Sequence, residues 1–180
     1  MTTQADLGAR HRRFLALLEP LHDAARLTAR RLSRSQADGD DLFQDAVLRA
    51  VDRFESLRDE TRFRSWFFAI LLSLHRRRHR AAFIRRFLPL QAADESAAPS
   101  GPDHEAARRL ARALAALSAV EREALILFEL QGFQLEEIAE LQASTLTALK
   151  SRLSRARAHL REHYARSGVE LQQLITEKAK

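Results

Sequence analysis

The chain has no cysteine. That removes disulfides, thiol nucleophiles and thiolate metal sites. Its 180 residues include only five glycines and four prolines. β-Branched residues are also few, whereas Ala, Leu, Arg and Glu abound. Such a composition favours helices over strands, and the fold class expected is all-α. No apolar run approaches the roughly 20 residues that a membrane span needs, so no membrane insertion is expected. The opening residues Met1-Thr2-Thr3-Gln4-Ala5-Asp6 are polar with no apolar core behind them. No secretory leader is read there, and a cytoplasmic location is expected. No Gly-rich phosphate loop, no HExxH and no His pair at ligand spacing is read. The chain is therefore expected to be no enzyme, with no metal and no cofactor.

What is present is charge, unevenly placed. The net charge of +6 divides into +7 over 1–88, −3 over 89–104 and +2 over 105–180. The middle segment holds Pro89, Pro99 and Pro102 and no helical periodicity. It reads as a flexible acidic linker between two small helical domains, 1–88 and 105–180. The basic excess fits a polyanionic partner.

In the first half, helices are expected over 7–18, from Pro20 to 32, over 42–54, and over 62–80 with an extension to 86. Asp38-Gly39-Asp40-Asp41 would precede the third and cap its exposed amides. In the second half, 104–117 forms one helix. A capping box at Ser118 and Glu121 starts another that ends near Leu130, before Gly132. A short helix, a tight turn and a long basic helix follow, with Gly168 as a stop and a further turn or two over 169–177. In the long helix Leu146, Leu149, Leu153, Ala156 and Leu160 make one buried stripe. Thr147, Lys150, Ser151, Arg152, Ser154, Arg155 and Arg157 leave the other face small, polar and positive. Such a helix suits a DNA major groove, although a plain helical hairpin has the same outline.

Two further segments carry information. Over 42–54, Phe43, Ala46, Ala50 and Phe54 form an inward stripe. Gln44, Val47, Leu48 and Val51 form a second, flanked by Asp45. The second stripe either docks a partner helix or marks a helix buried on both sides. Over 62–80, the aromatics Phe63, Trp66, Phe67 and Phe68 run into Arg76-Arg77-Arg78-His79-Arg80, continued by Arg85 and Arg86. Rings beside cations fit a single-stranded nucleic-acid site, although Trp66 and Phe67 also fit a core.

Two blocks carry a family likeness. Asp38-Gly39-Asp40-Asp41-Leu42-Phe43-Gln44-Asp45 and Phe63-Arg64-Ser65-Trp66-Phe67 resemble region two of the extracytoplasmic-function group of bacterial sigma factors, in the sigma-70 family. Arg122-Glu123, Gly132, Glu137-Ile138-Ala139 and the run from Lys150 to Arg157 resemble region four. The resemblance implies a subunit that binds core RNA polymerase, through its β′ and β subunits, and directs it to promoter DNA. It implies that Asp41, Gln44, Asp45, Val47, Leu48 and Val51 grip the polymerase. Phe63, Arg64, Trp66, Ser73, Arg76, Arg77 and Arg80 would hold the −10 element. Thr145, Thr147, Lys150, Ser151, Arg152, Ser154 and Arg155 would read the −35 element. The linker would thread toward the RNA exit path, and a separate anti-sigma factor is the implied control. The chain departs from the family pattern at Ser73, where Asn is usual, at Arg77, often Asp, at Ala143, usually Gly, and at Ala148, often Thr. The competing reading is a free-standing helix-turn-helix regulator that never enters the polymerase. Such a regulator has no need for the second stripe on helix 42–54.

Overall fold

The computed structural model describes residues 4–86 and 102–166, with side chains over 8–81 and 108–166. The chain divides into two compact units, Met1–Glu95 and Ser96–Lys180. Every element among the described residues is helical.

The first unit contains α1 (Gln4–Leu18), α2 (His22–Leu32), α3 (Gln36–Arg53) and α4 (Phe63–Arg86). Pro20 sits in a 3₁₀ turn, Glu19–Leu21, that bends α1 into α2. Helix α3 starts six residues earlier than expected. Its cap is Ser35, whose Oγ accepts the Asp38 amide at 3.1 Å. Asp38-Gly39-Asp40-Asp41 therefore lies inside the helix and is not its cap. The glycine is there for packing. A Cβ on Gly39 would lie 2.4 Å from the Arg30 Cα, so α2 and α3 cross at backbone distance. Asp40 fastens the crossing: both its oxygens accept from Arg30, at 2.8 and 2.7 Å, and one also accepts from Arg26 at 2.8 Å. These hydrogen bonds hold the Asp40 carboxyl well below the usual carboxylate range.

The stretch between the expected helices 42–54 and 62–80 is mostly two 3₁₀ turns, Phe54–Ser56 and Glu60–Arg62. Asp59 organises the second, accepting from the Thr61 amide at 2.9 Å and hydroxyl at 2.6 Å. The core is a cluster of rings. Phe63 meets Phe14 at 5.7 Å, Phe54 at 6.3 Å and Phe67 at 6.1 Å, and Phe67 meets Phe43 at 6.3 Å.

The second unit contains α5 (Pro102–Ala115), α6 (Ala119–Leu125), α7 (Leu135–Leu141) and α8 (Leu146–Arg166). The capping box forms as expected: Ser118 Oγ accepts the Glu121 amide at 3.4 Å, and Glu121 accepts the Ser118 amide at 3.2 Å. A π turn, Ile126–Leu130, widens the end of α6. Gly132, at φ +64°, then lets the chain reverse and bury Phe133. A second capping box, Gln134 with Glu137, opens α7. The turn after α7 closes with Ser144 N donating to Ala139 O at 2.9 Å, around Ala143 at φ +47°. Leu149, Leu153, Ala156 and Tyr164 make the buried stripe of α8. Leu146, in the first turn of α8, leaves that stripe at 38% exposed. Of the expected linker 89–104, residues 102–104 belong to α5. Residues 89–101, and the expected Gly168 stop and turn over 169–177, lie outside the described residues.

Candidate nucleic-acid and partner surfaces

Helix α3 separates its two apolar stripes. Phe43, Ala46 and Ala50 are buried, as is Phe54 beyond its end. Leu48 is 65% exposed, and Asp41, Gln44 and Asp45 are exposed beside half-buried Val47 and Val51. Burial on both sides is thereby excluded for the described unit. A surface helix ordinarily needs only one apolar stripe, so the outward one is surplus to this unit's folding. Two ties brace it without covering it. Arg78 donates to Asp45 at 2.5 Å and to the Asp38 carbonyl at 3.2 Å. Arg10 donates to the Val51 carbonyl at 2.7 Å and pairs with Glu55 at 2.9 Å.

Helix α4 changes character along its length. Phe63 is 2% exposed and enclosed by other rings, so no face of it is open to a base. That corrects the expectation of Phe63 as a stacking platform: the ring is committed to the core. Phe67 and Phe68 are fully buried as well. Trp66 is the exception, half-buried beside Phe63 at 5.7 Å. Arg64 and Arg76 are half-buried, and Ser73, Arg77 and Arg80 are exposed. His75 and His79 do stand one turn apart, with ring centroids 6.2 Å apart. His159 and His163 share that spacing in sequence. The reading that no His pair has ligand spacing was thus mistaken, although no group of three ligand residues assembles among the described residues.

In the second unit the outward face of α8 is Thr147, Ser151 and Ser154, all exposed, with Lys150 exposed at its edge. Arg152 is not opposite the buried stripe, as expected from the sequence. It is half-buried on the flank and donates to Gln142 Oε1 at 2.9 Å. Arg155 is exposed but leans back to Glu121 at 3.4 Å, and Arg157 pairs with Glu129 at 2.7 Å. Thr145 is exposed, and its hydroxyl oxygen caps α8 by accepting the Ala148 amide at 3.2 Å. Glu121 anchors one flank. Burial acts to raise its pKa, but hydrogen bonds from Ser118, with His159 and Arg155 nearby, outweigh that and hold it below the ordinary value. Arg122, noted in the sequence only as part of a motif, caps the end of α5: it donates to the carbonyls of Leu114 at 2.7 Å, Ala115 at 3.2 Å and Leu117 at 3.3 Å. Sequence spacing gave no signal of that role, because the partners lie at and just beyond the end of another helix.

Comparisons with known proteins agree across both units. The family Sigma-70 region 2 matches residues 17–83, and Sigma-70, region 4 matches residues 107–160. The chain is 33% identical over 144 residues to the ECF RNA polymerase sigma factor SigM of Mycobacterium tuberculosis, covering 78% of this chain and 69% of that protein. It is 33% identical over 135 residues to the ECF RNA polymerase sigma factor EcfG of Rhodopseudomonas palustris, covering 72% of each. Among solved structures, it is similar to the sigma factor RpoE of Bartonella quintana in complex with the anti-sigma factor NepR. The TM-score there is 0.65 and the identity 30%, over 82% of this chain and 94% of that one. CnrH in complex with the cytosolic domain of CnrY matches with a TM-score of 0.65 and 25% identity, over 84% of this chain and 87% of that one.

Proposed function

Because this chain belongs to the sigma-70 family, as an extracytoplasmic-function RNA polymerase sigma factor that directs promoter-specific transcription, we propose that its two units divide the work between three surfaces. The outward stripe of α3, built on Gln44, Val47, Leu48 and Val51 with Asp41 and Asp45 at its margin, docks the polymerase core through its β′ subunit. Trp66, Arg64, Ser73, Arg76, Arg77 and Arg80 of α4 engage the −10 element, with phosphates meeting the cations and Trp66 the ring open to an unstacked base. Thr147, Lys150, Ser151, Ser154 and Arg155 of α8, with Thr145 at its start, face the −35 element. Arg152 acts one step back, holding the turn through Gln142.

The observation that carries this assignment is the exposure of Leu48 on a helix whose other face is fully buried. A free-standing regulator gives no use for it. The test is association of the full chain with core polymerase. Leu48→Glu and Gln44→Arg should each abolish co-elution while helical circular dichroism is unchanged. Undiminished binding by both would remove α3 from the interface.

The division of labour involves binding and no turnover, in keeping with sigma factors in general. No helix among the described residues is long and apolar enough to cross a membrane. The work is placed in the cytoplasm, with polymerase and DNA. A separate anti-sigma factor is the expected control, supported by the similar sigma factor RpoE, solved with the anti-sigma factor NepR.

A further inference from the structure

Between α3 and α4 lies a cleft of about 110 Å³ lined by Arg49, Arg53, Ile70, Ser73, Leu74 and Arg77. Arg49 and Arg53 stand one turn apart on α3, and Ser73 and Arg77 one turn apart on α4. Among the described residues none of the three arginines has a carboxylate partner, and no acidic side chain lines the cleft. This contrasts with Arg10, Arg26, Arg30 and Arg78 of the same unit, all of which are paired. Three like charges aimed at one concavity repel each other unless an anion joins them. The guanidinium fork matches phosphate oxygens in two parallel bonds, and the serine hydroxyl adds a neutral donor. The cleft has room for a phosphate group rather than a nucleoside.

We infer that Arg49 and Arg53, with Ser73 and Arg77, form a seat for one backbone phosphate of promoter DNA, adding α3 to the DNA-binding surface of this unit. The inference rests on the promoter-binding assignment above. Arg49 and Arg53 lie on a different flank of α3 from Leu48, so one helix would serve polymerase and DNA on separate faces.

The test uses holoenzyme assembled from core polymerase and the full chain, on a promoter it protects. Arg49→Gln/Arg53→Gln should co-elute with core polymerase as the unsubstituted chain does. Its promoter affinity should fall several-fold at low salt. The slope of log affinity against log salt should become shallower by about one, the signature of one lost phosphate contact. Arg34→Gln, which removes an exposed cation outside the cleft, should leave the slope unchanged. An unaltered slope in the double variant would overturn the inference, and so would an equal change in Arg34→Gln. If inorganic phosphate raised the melting temperature of the unsubstituted chain alone while promoter slopes stayed equal, the seat would belong to a free anion, and the DNA assignment would be wrong. Failure of the unsubstituted holoenzyme to protect any promoter would instead sink the promoter assignment, and this seat with it.

Discussion

The two units solve the same problem, a small helical core, with different materials. Nine of the twelve aromatic residues lie in 1–88. There Phe14, Phe43, Phe54, Phe63, Phe67 and Phe68 meet through the first unit's core, edge on face except for the stacked pair Phe63 and Phe67. The second unit packs mainly aliphatic side chains, Leu114, Leu127, Ile138, Leu149 and Leu153, with Phe133 and Tyr164 the only aromatics buried among its described residues. Its helices are held in register by polar ends: two capping boxes, and Arg122 on the end of α5. The surfaces differ in the same sense. The first unit leaves an apolar stripe and unpaired arginines standing outward on a rigid ring cluster. The second ties Arg152, Arg155 and Arg157 to its own Gln142, Glu121 and Glu129. A surface that grips a protein can be apolar and fixed. Cations whose direction is set before binding lose less side-chain freedom on contact than the first unit's unpaired arginines.

The severest way to break this contrast is to remove a ring. Phe67 is fully buried and touches three other rings. Phe67→Ala should cost the first unit about 3–5 kcal/mol. Denaturant unfolding followed by amide signals from each unit should show the first transition moved and the second in place. A common shift would mean that the chain unfolds as one block. Gly39→Ala should come next. Overpacking at the α2–α3 crossing costs about 1–3 kcal/mol, set against up to about 1 kcal/mol of helix propensity gained. The loss should again be confined to the first unit, and a neutral result would mean that the crossing yields without strain.

Gly39 also marks where the sequence was legible and where it was not. The helices of the described residues, the two-unit plan, Gly132 as a turn residue of the second unit and the two stripes of α3 were readable, because periodicity and capping chemistry are local; Ala143 entered only through the family likeness. The role of Asp38-Gly39-Asp40-Asp41 was not. Gly and Asp signal a helix start in sequence, and only the approach of Arg30 from α2 reveals a packing contact and a salt link. Phe63 failed in the same way: a ring at the start of a basic helix looks available until Phe14 and Phe54 arrive from elsewhere. Arg152 failed by an angle. Its position lies only about 80° from the buried stripe at 100° per residue, so it flanks the core and does not oppose it.

A smaller, pH-gated difference should separate the units. Asp40 is held below its ordinary range in the folded state by Arg30 and Arg26, so its contribution is complete above the unfolded value near 3.9. It is lost as pH falls below that value toward the folded one. The first unit should therefore lose stability progressively under about pH 4, and Asp40→Asn should be less stable at neutral pH but flatter in acid. Glu121 is shifted the same way in the second unit, with burial opposing the shift. Acid titration of Asp40→Asn should leave the second unit's acid dependence intact. A parallel acid profile in Asp40→Asn and the unsubstituted chain would show that the carboxylate contributes nothing to the crossing.

The smallest effect probes the turn that aims α8. Ala143 is the one described non-glycine residue with positive φ, at +47°. An L-residue there costs roughly 1–2 kcal/mol, from Cβ against the following carbonyl. Glycine removes that cost but gives the unfolded chain more freedom, about 0.5–1 kcal/mol of entropy. Ala143→Gly should therefore stabilise the second unit by no more than about 1 kcal/mol, read as a modest rise in its denaturation midpoint at unchanged slope. The functional arm is more informative. Ala143 fixes how Ser144 returns to Ala139, and so the angle at which α8 leaves α7. If the stiffer alanine turn helps to orient Thr147, Lys150 and Ser151, the glycine variant should be slightly more stable yet protect −35 DNA slightly less. If protection rises along with stability, the strained alanine has no orienting role, and the bond from Ser144 to Ala139 is enough to set the turn.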